Sequence, residues 1–392
     1  MKAKNQISRA MYNLKLVMLE SAMTAALLSM SIMTPFFYSI GLTQLQISQT
    51  QAIFTVVMIF LNLPTGWIAD HFSRKWANVI GDFGVAATFM VYALARNFLT
   101  VVVCECCLGF FMSLSQGVDQ SLLRHFSQKI DPSEDFFRQK TAQLNCWHYV
   151  VTLVLVWLGG PIGAIDLRLA ISLSGITYIF GGIASLLVAD DSKKLVTDKS
   201  PFCDMLRIVA SSFHNRPLRL RIFIHAVGRE MTHAVIWVFT PLLIMAGVPL
   251  AIVSTAWALN ALASFFGAKL AAKFSLRLKD WQIFALPLAL MSLSMGIISV
   301  RLSIITIWFY LLMGVVQGWT GSTLMPLIQR YVQPEEQTSV ISLTGIIGRL
   351  VYIPASLLVG WVGDWQLART PLVVLLCFAP VGLFLIFHLL RE

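Results

Sequence analysis

Residues 16–40 read LVMLESAMTAALLSMSIMTPFFYSI, with Glu20 as the one charge. As a helix rising about 1.5 Å per residue, the stretch is longer than the roughly 30 Å hydrocarbon core of a bilayer. It follows Lys2, Lys4, Arg9 and Lys15, as a signal peptide's apolar region follows its basic start, but no Ala-x-Ala-like site closes it. A retained first membrane span is expected. Working outward, similar runs fall at approximately 46–68, 77–95, 98–118, 144–164, 168–189, 221–246, 250–272, 282–300, 303–328, 338–362 and 370–390. Of the 392 residues 57% are hydrophobic and 12% charged, and the mean hydropathy is +0.75. A chain that apolar lacks the polar surface to be soluble at this length. The expected fold class is an all-α integral membrane protein of about twelve transmembrane helices.

The formal net charge of +10 invites a nucleic-acid partner, but its placement argues against one. Lys and Arg in the tails and alternate loops number 23 on the side shared with the N-terminus, against four on the other: Arg96, Arg168, Arg301 and Arg369. By the positive-inside rule both termini are expected in the cytoplasm, in a multi-pass protein of the cell (inner) membrane. The six cysteines fall in or beside apolar runs and lack the two paired C-x-x-C motifs of a zinc site, so reduced thiols rather than a metal site are expected.

The longest polar stretch, Asp190 to Arg219, follows the sixth run. It suggests a six-helix bundle over 1–190, a cytoplasmic loop over 191–219 and a second six-helix bundle over 220–392. An internal repeat supports two halves. Thr34-Pro35 followed by Gly41 near the end of the first run matches Thr240-Pro241 followed by Gly247 in the seventh, 206 residues on. Gly160-x-x-Gly163 in the fifth run matches Gly360-x-x-Gly363 in the eleventh.

After the second run the chain reads Gly66-Trp67-Ile68-Ala69-Asp70-His71-Phe72-Ser73-Arg74-Lys75. This resembles the G-x-x-x-D-x-x-G-R-[KR] loop of the major facilitator superfamily, with Ser73 in place of the second glycine. The resemblance in helix number, orientation and repeat covers essentially the whole chain. It implies two pseudo-symmetric six-helix bundles working by alternating access. Asp70 would then face the N-terminus of span 11, whose free N–H groups and dipole favour an anion, while Arg74 pairs with Asp119. Gly66, Asp70, Arg74, Lys75 and Asp119 would latch the outward-facing state; the alternative is a set of solvated loop charges. In span 4 the family's R-x-x-Q-G frame reads Glu105-Cys106-Cys107-Leu108-Gly109, an acid replacing the arginine. In span 5, Gly160-Pro161-Ile162-Gly163 is similar to the G-P-x-x-G-G signature of the drug/proton antiporter branch but one residue short.

A charge near the bilayer centre costs roughly 2.5 to 3.5 kcal/mol on insertion scales, so an intramembrane charge is expected to face a cavity or a partner. Glu20, Glu105, His148, Arg229, Glu230 and Arg349 are such positions. Counting along the helices puts Glu230 and Arg349 nearest the midplane. Glu230, Glu20 and Glu105 are the proton-coupling candidates; for Glu230 a permanent ion pair with a neighbouring arginine is the structural alternative. His225, Arg229 and His233 recur every four residues on one helix face. They join Arg349, His148, Trp147 and Trp237 as substrate-cavity candidates, the histidines alternatively bonding backbone or water.

No G-x-x-x-x-G-K-[ST] nucleotide loop is present, nor an H-E-x-x-H or G-x-S-x-G enzyme signature. The expected function is secondary transport without a cofactor: proton-coupled efflux of an amphipathic, drug-like or secreted small molecule by a monomer in the lipid bilayer. The alternative is a proton symporter importing a small, possibly anionic metabolite.

Overall fold

The computed structural model describes residues 2–25, 28–71, 73–115, 118–189, 214–332 and 337–391. Fifteen α-helices follow one another among them: α1 Lys2–Thr24, α2 Met33–Ser39, α3 Gln44–His71, α4 Arg74–Ala93, α5 Phe98–Ser115, α6 Val118–Ile130, α7 Glu134–Ile165, α8 Leu167–Leu187, α9 Arg216–His233, α10 Ile236–Met245, α11 Leu250–Phe274, α12 Asp280–Val300, α13 Leu311–Gln329, α14 Gln337–Gln366 and α15 Thr370–Leu390.

Among the described residues nine stretches are long and apolar enough to cross a membrane, and Leu343–Leu390, one of them, holds most of α14 and all of α15. The helix α4 and the pair α9 and α10 are not among the nine. Asn78 and Asp82 in the first, and Arg229 and Glu230 in the second, lower their hydropathy.

Local chemistry sets the breaks. Asn215 opens α9 by accepting the Leu218 N–H at 3.2 Å, and Asp166 opens α8 by accepting the Arg168 N–H at 2.8 Å. Ser73, the residue in the loop where a glycine was expected, is extended at φ −173° and caps α4 through the Trp76 N–H. A side-chain cap thus stands in for the glycine. The Thr-Pro…Gly repeat ends α2 and α10 in the same way. Gly41 and Gly247, at φ 85° and 96°, are the described residues with positive φ. Leu42 N–H reaches Phe37 O and Val248 N–H reaches Leu243 O, each at 3.0 Å. Both are left-handed glycine closures of a helix end, a conformation only glycine takes without strain.

The chain divides into two compact units, residues 1–36 with 56–198, and 37–55 with 199–392. The stretch 37–55, expected within the first bundle, thus groups with the second unit. Local contacts explain it: Gln44 Nε2 donates to Trp237 O at 3.2 Å, the Leu45 N–H donates to Asp364 Oδ1 at 3.2 Å, and the bare backbones of Gly360 and Gly363 leave space filled by Ser48 and Gln44. The second unit's core centres on Phe239, Phe284, Met291 and Val316, with Phe239 stacked on Tyr310 at 3.5 Å between ring centroids. Trp257 and Trp319 belong here, their N–H groups donating to Thr240 Oγ1 and Ile283 O at 2.9 Å. Their indoles are structural.

Candidate functional site

In the second unit the site is built on α9 and α14. The Glu230 side chain is buried at 6% exposure. Its Oε2 lies 3.0 Å from His233 Nδ1, one helical turn away. On α14, Gly348 makes room for the acid: a β-carbon there would stand 3.1 Å from Glu230 Oε1. The carboxylate therefore rests against bare backbone, beside the next residue, Arg349. The charges of Arg229 and Glu230 both act on Arg349 and on His225. The four-residue stripe is not uniform: His225 is buried, His233 half-buried and Arg229 exposed. His225 Nδ1 is buried without a hydrogen-bond partner among the described residues.

Two arginines, two histidines and one acid around an apolar helix junction can exchange a proton and hold a counter-ion. Gly348→Ala tests the fit, because its methyl group would press on the carboxylate and force it to shift by a few tenths of an ångström. Transport rate is expected to fall about tenfold, equivalent to roughly 1.4 kcal/mol in the barrier, with helix content unchanged by circular dichroism.

In the first unit Asp119 Oδ2 accepts the Ser21 hydroxyl at 2.8 Å. His148 Nε2 lies 3.0 Å from the oxygen of that hydroxyl, Ser21 Oγ. A serine has one hydrogen to give, so with that hydrogen on Asp119, Nε2 must be the protonated nitrogen of His148. Asp119, expected as the latch partner of Arg74, is thus engaged inside the first unit with α1 and α7. Gly66 and Asp70 lie in the part of α3 whose side chains are outside the described residues; Arg74 and Lys75 form the first turn of α4, with Lys75 Nζ 5.8 Å from the Trp76 ring.

Glu105 is buried at 3% exposure and accepts the Tyr92 hydroxyl at 2.8 Å, an arrangement that holds α4 to α5. Trp147 is 53% exposed. Trp237 is half-buried with its ring 6.2 Å from Phe37.

The residues that sequence reasoning missed are Asp82 and Asn78. Both are 1% exposed on α4, and Ser185 Oγ donates to Asp82 Oδ2 at 3.3 Å. Asp82 lies mid-run between apolar residues, the signal that singled out Glu20. Among the described residues no group of three or more His, Cys, Asp or Glu is placed to hold a metal ion.

A model of the Major Facilitator Superfamily matches residues 16–356. No curated protein matches the chain. Among solved structures, that of the nucleoside transporter NupG superposes with a TM-score of 0.77 at 13% identity, covering 98% of this chain and 98% of that one. A bacterial homolog to the human lysosomal transporter Spinster, in an inward-facing and occupied conformation, superposes with a TM-score of 0.74 at 11% identity, over 97% of this chain and 96% of that one. At these identities the likeness shows the fold.

Proposed function

The chain belongs to the major facilitator superfamily, and from that premise we propose that this multi-pass membrane transporter couples the movement of a small molecule to protons through Glu230. The observation that carries the reading is the Glu230 carboxylate, 3.0 Å from an imidazole, seated on Gly348 and within electrostatic reach of Arg349. A buried acid with both a proton-exchanging and a cationic neighbour has two ways to be neutralised, which is what coupling by alternating access requires. One proton moving down 100 mV supplies about 2.3 kcal/mol, enough for a roughly 50-fold gradient of cargo. Glu20 and Glu105 are weaker candidates: Glu105 has a tyrosine hydroxyl to anchor it, and Glu20 belongs to a separate buried cluster in the first unit.

For the cargo, proton-driven export of an amphipathic compound is the first reading, resting on the Gly160-Pro161-Ile162-Gly163 sequence. Import of an anionic metabolite is the second, and the pairing of Arg229 and Arg349 against a single acid favours it. A thermal-shift screen of purified protein with drugs, peptides, sugars and anionic metabolites separates them, since a ligand at 100 times its Kd stabilises by about 2.7 kcal/mol.

Both termini are proposed to lie in the cytoplasm, a reading supported by the 23 to 4 distribution of basic residues. Reporters fused after Glu392 or within 190–219 are expected to read cytoplasmic, and an external signal at either place would overturn the orientation. The loop at Asp70 is proposed as a conformational latch. Asp70→Asn removes an anion from a helix N-terminus, an interaction worth about 0.3 to 1 kcal/mol, and is expected to slow turnover two- to five-fold while expression is kept. Wild-type turnover together with unchanged cysteine accessibility on both sides would leave Asp70 a solvated loop charge.

A further inference from the structure

A second buried polar cluster lies in the first unit where α1, α4 and α8 meet. Glu20, Asn78, Asp82 and Ser185 are 3%, 1%, 1% and 3% exposed. Asn78 Nδ2 donates to Ser185 Oγ at 3.3 Å, and Ser185 passes its own hydrogen to Asp82 Oδ2 at 3.3 Å. Glu20 stands beside Asn78 and within reach of the charge of Asp82. The helices are drawn together at Gly181, where a β-carbon would lie 2.7 Å from Thr24 Cγ2, 3.6 Å from Asp82 Oδ2 and 3.7 Å from Glu20 O.

Two oxygens in this cluster, Glu20 Oε2 and Asn78 Oδ1, are buried with no hydrogen-bond partner among the described residues. Both are acceptors. The other titratable groups facing the cluster bring no charge to balance two carboxylates. Asp119 of α6 adds a third acid nearby. His148 of α7 is held on Ser21. Tyr178 of α8 spends its hydroxyl on Thr24 O at 3.2 Å. Buried acceptors in excess over donors, with two facing acids, call for a cation rather than for water, whose hydrogens would leave the charge uncompensated. All the ligating atoms are hard oxygens, and two facing carboxylates that share one proton keep a single negative charge, which a monovalent cation balances.

We propose that Glu20, Asn78, Asp82 and Ser185 form a binding site for a monovalent cation, sodium, in the first unit. The close approach of α8 to α1 at Gly181 favours a small ion over potassium. The site is independent of Glu230, and its occupancy locks three helices of one bundle together.

The test is thermal unfolding of the full-length protein in lipid nanodiscs, titrated with NaCl against KCl and choline chloride at constant ionic strength and pH. Sodium is expected to raise Tm by several degrees along a saturating curve that choline does not reproduce. The response is expected to vanish in Asp82→Asn and in Glu20→Gln and to persist in Glu230→Gln. Equal curves for sodium and choline, or stabilisation that follows pH and ignores sodium, would show that the pair holds protons and would overturn the site. A sodium response that survives Asp82→Asn would do the same. Should the acid variants fail to fold, Ser185→Ala keeps the shape and removes one ligand. A several-fold higher sodium midpoint in that variant supports the site, and an unchanged midpoint refutes it.

Discussion

Glu230→Gln is expected to abolish uphill transport driven by a pH gradient in proteoliposomes, while substrate binding and exchange down a concentration gradient persist. The amide keeps the shape that fits over Gly348 and still reaches the His233 ring, which lies 3.0 Å from the native carboxylate. It has no proton to load on one side and release on the other. The result is therefore a loss of coupling by two orders of magnitude or more with the protein intact. A permanent ion pair would behave differently. Removing one partner of a buried pair strands the other charge at a cost of about 3 to 5 kcal/mol, so expression and thermal stability would fall together with every transport mode. Glu20→Gln is the matched control. Uphill transport that survives in Glu230→Gln and is lost in Glu20→Gln would transfer coupling to the first unit.

Gly318→Leu is expected to leave almost no folded protein in detergent, with a cost above about 3 kcal/mol. The glycines Gly314 and Gly318 stand four apart on α13 and meet α11 backbone to backbone. A β-carbon at Gly318 would overlap the carbonyl of Ser264 and come within 2.8 Å of Ala268 N, and one at Gly267 would overlap the carbonyl of Val315. Backbone cannot move aside as a flexible side chain can. In a membrane such small-residue contacts replace the hydrophobic driving force, because lipid tails are as apolar as leucine. Gly321→Ala is the control on the same helix. Nothing lies within 4 Å of its added β-carbon, so it is expected to change stability by no more than about 1 kcal/mol. Fluorescence-detected size-exclusion chromatography of the two variants reads the difference. Equal monodisperse yields would mean that the helices can separate at Gly318 without loss.

The apolar runs were legible because a helix that crosses a bilayer must satisfy its own backbone and turn apolar side chains outward, which writes length and hydropathy into the chain. The paired Thr-Pro…Gly elements were legible as a repeat, and Gly41 and Gly247 then took the same left-handed closure. The intramembrane charges were legible one at a time, since each is costly wherever it points. Asp82 was readable by the same rule but passed over in its apolar run. The seat of Glu230 on Gly348 was not readable, because nothing in either helix specifies its rotation against the other.

By itself, the sequence determined the solvent of this protein, its helical class and its family, since hydropathy, basic loops and the residues 66–75 are local properties. The tertiary structure alone decided that Ser21 donates to Asp119, that residues 37–55 group with the second unit, and that Glu20 and Asp82 share one buried cluster. The physical reason is that apolar helix faces look alike to lipid and to protein. Which face meets which neighbour is then set by small residues and polar contacts between segments about a hundred positions apart, such as Ser21 and Asp119 or Asn78 and Ser185.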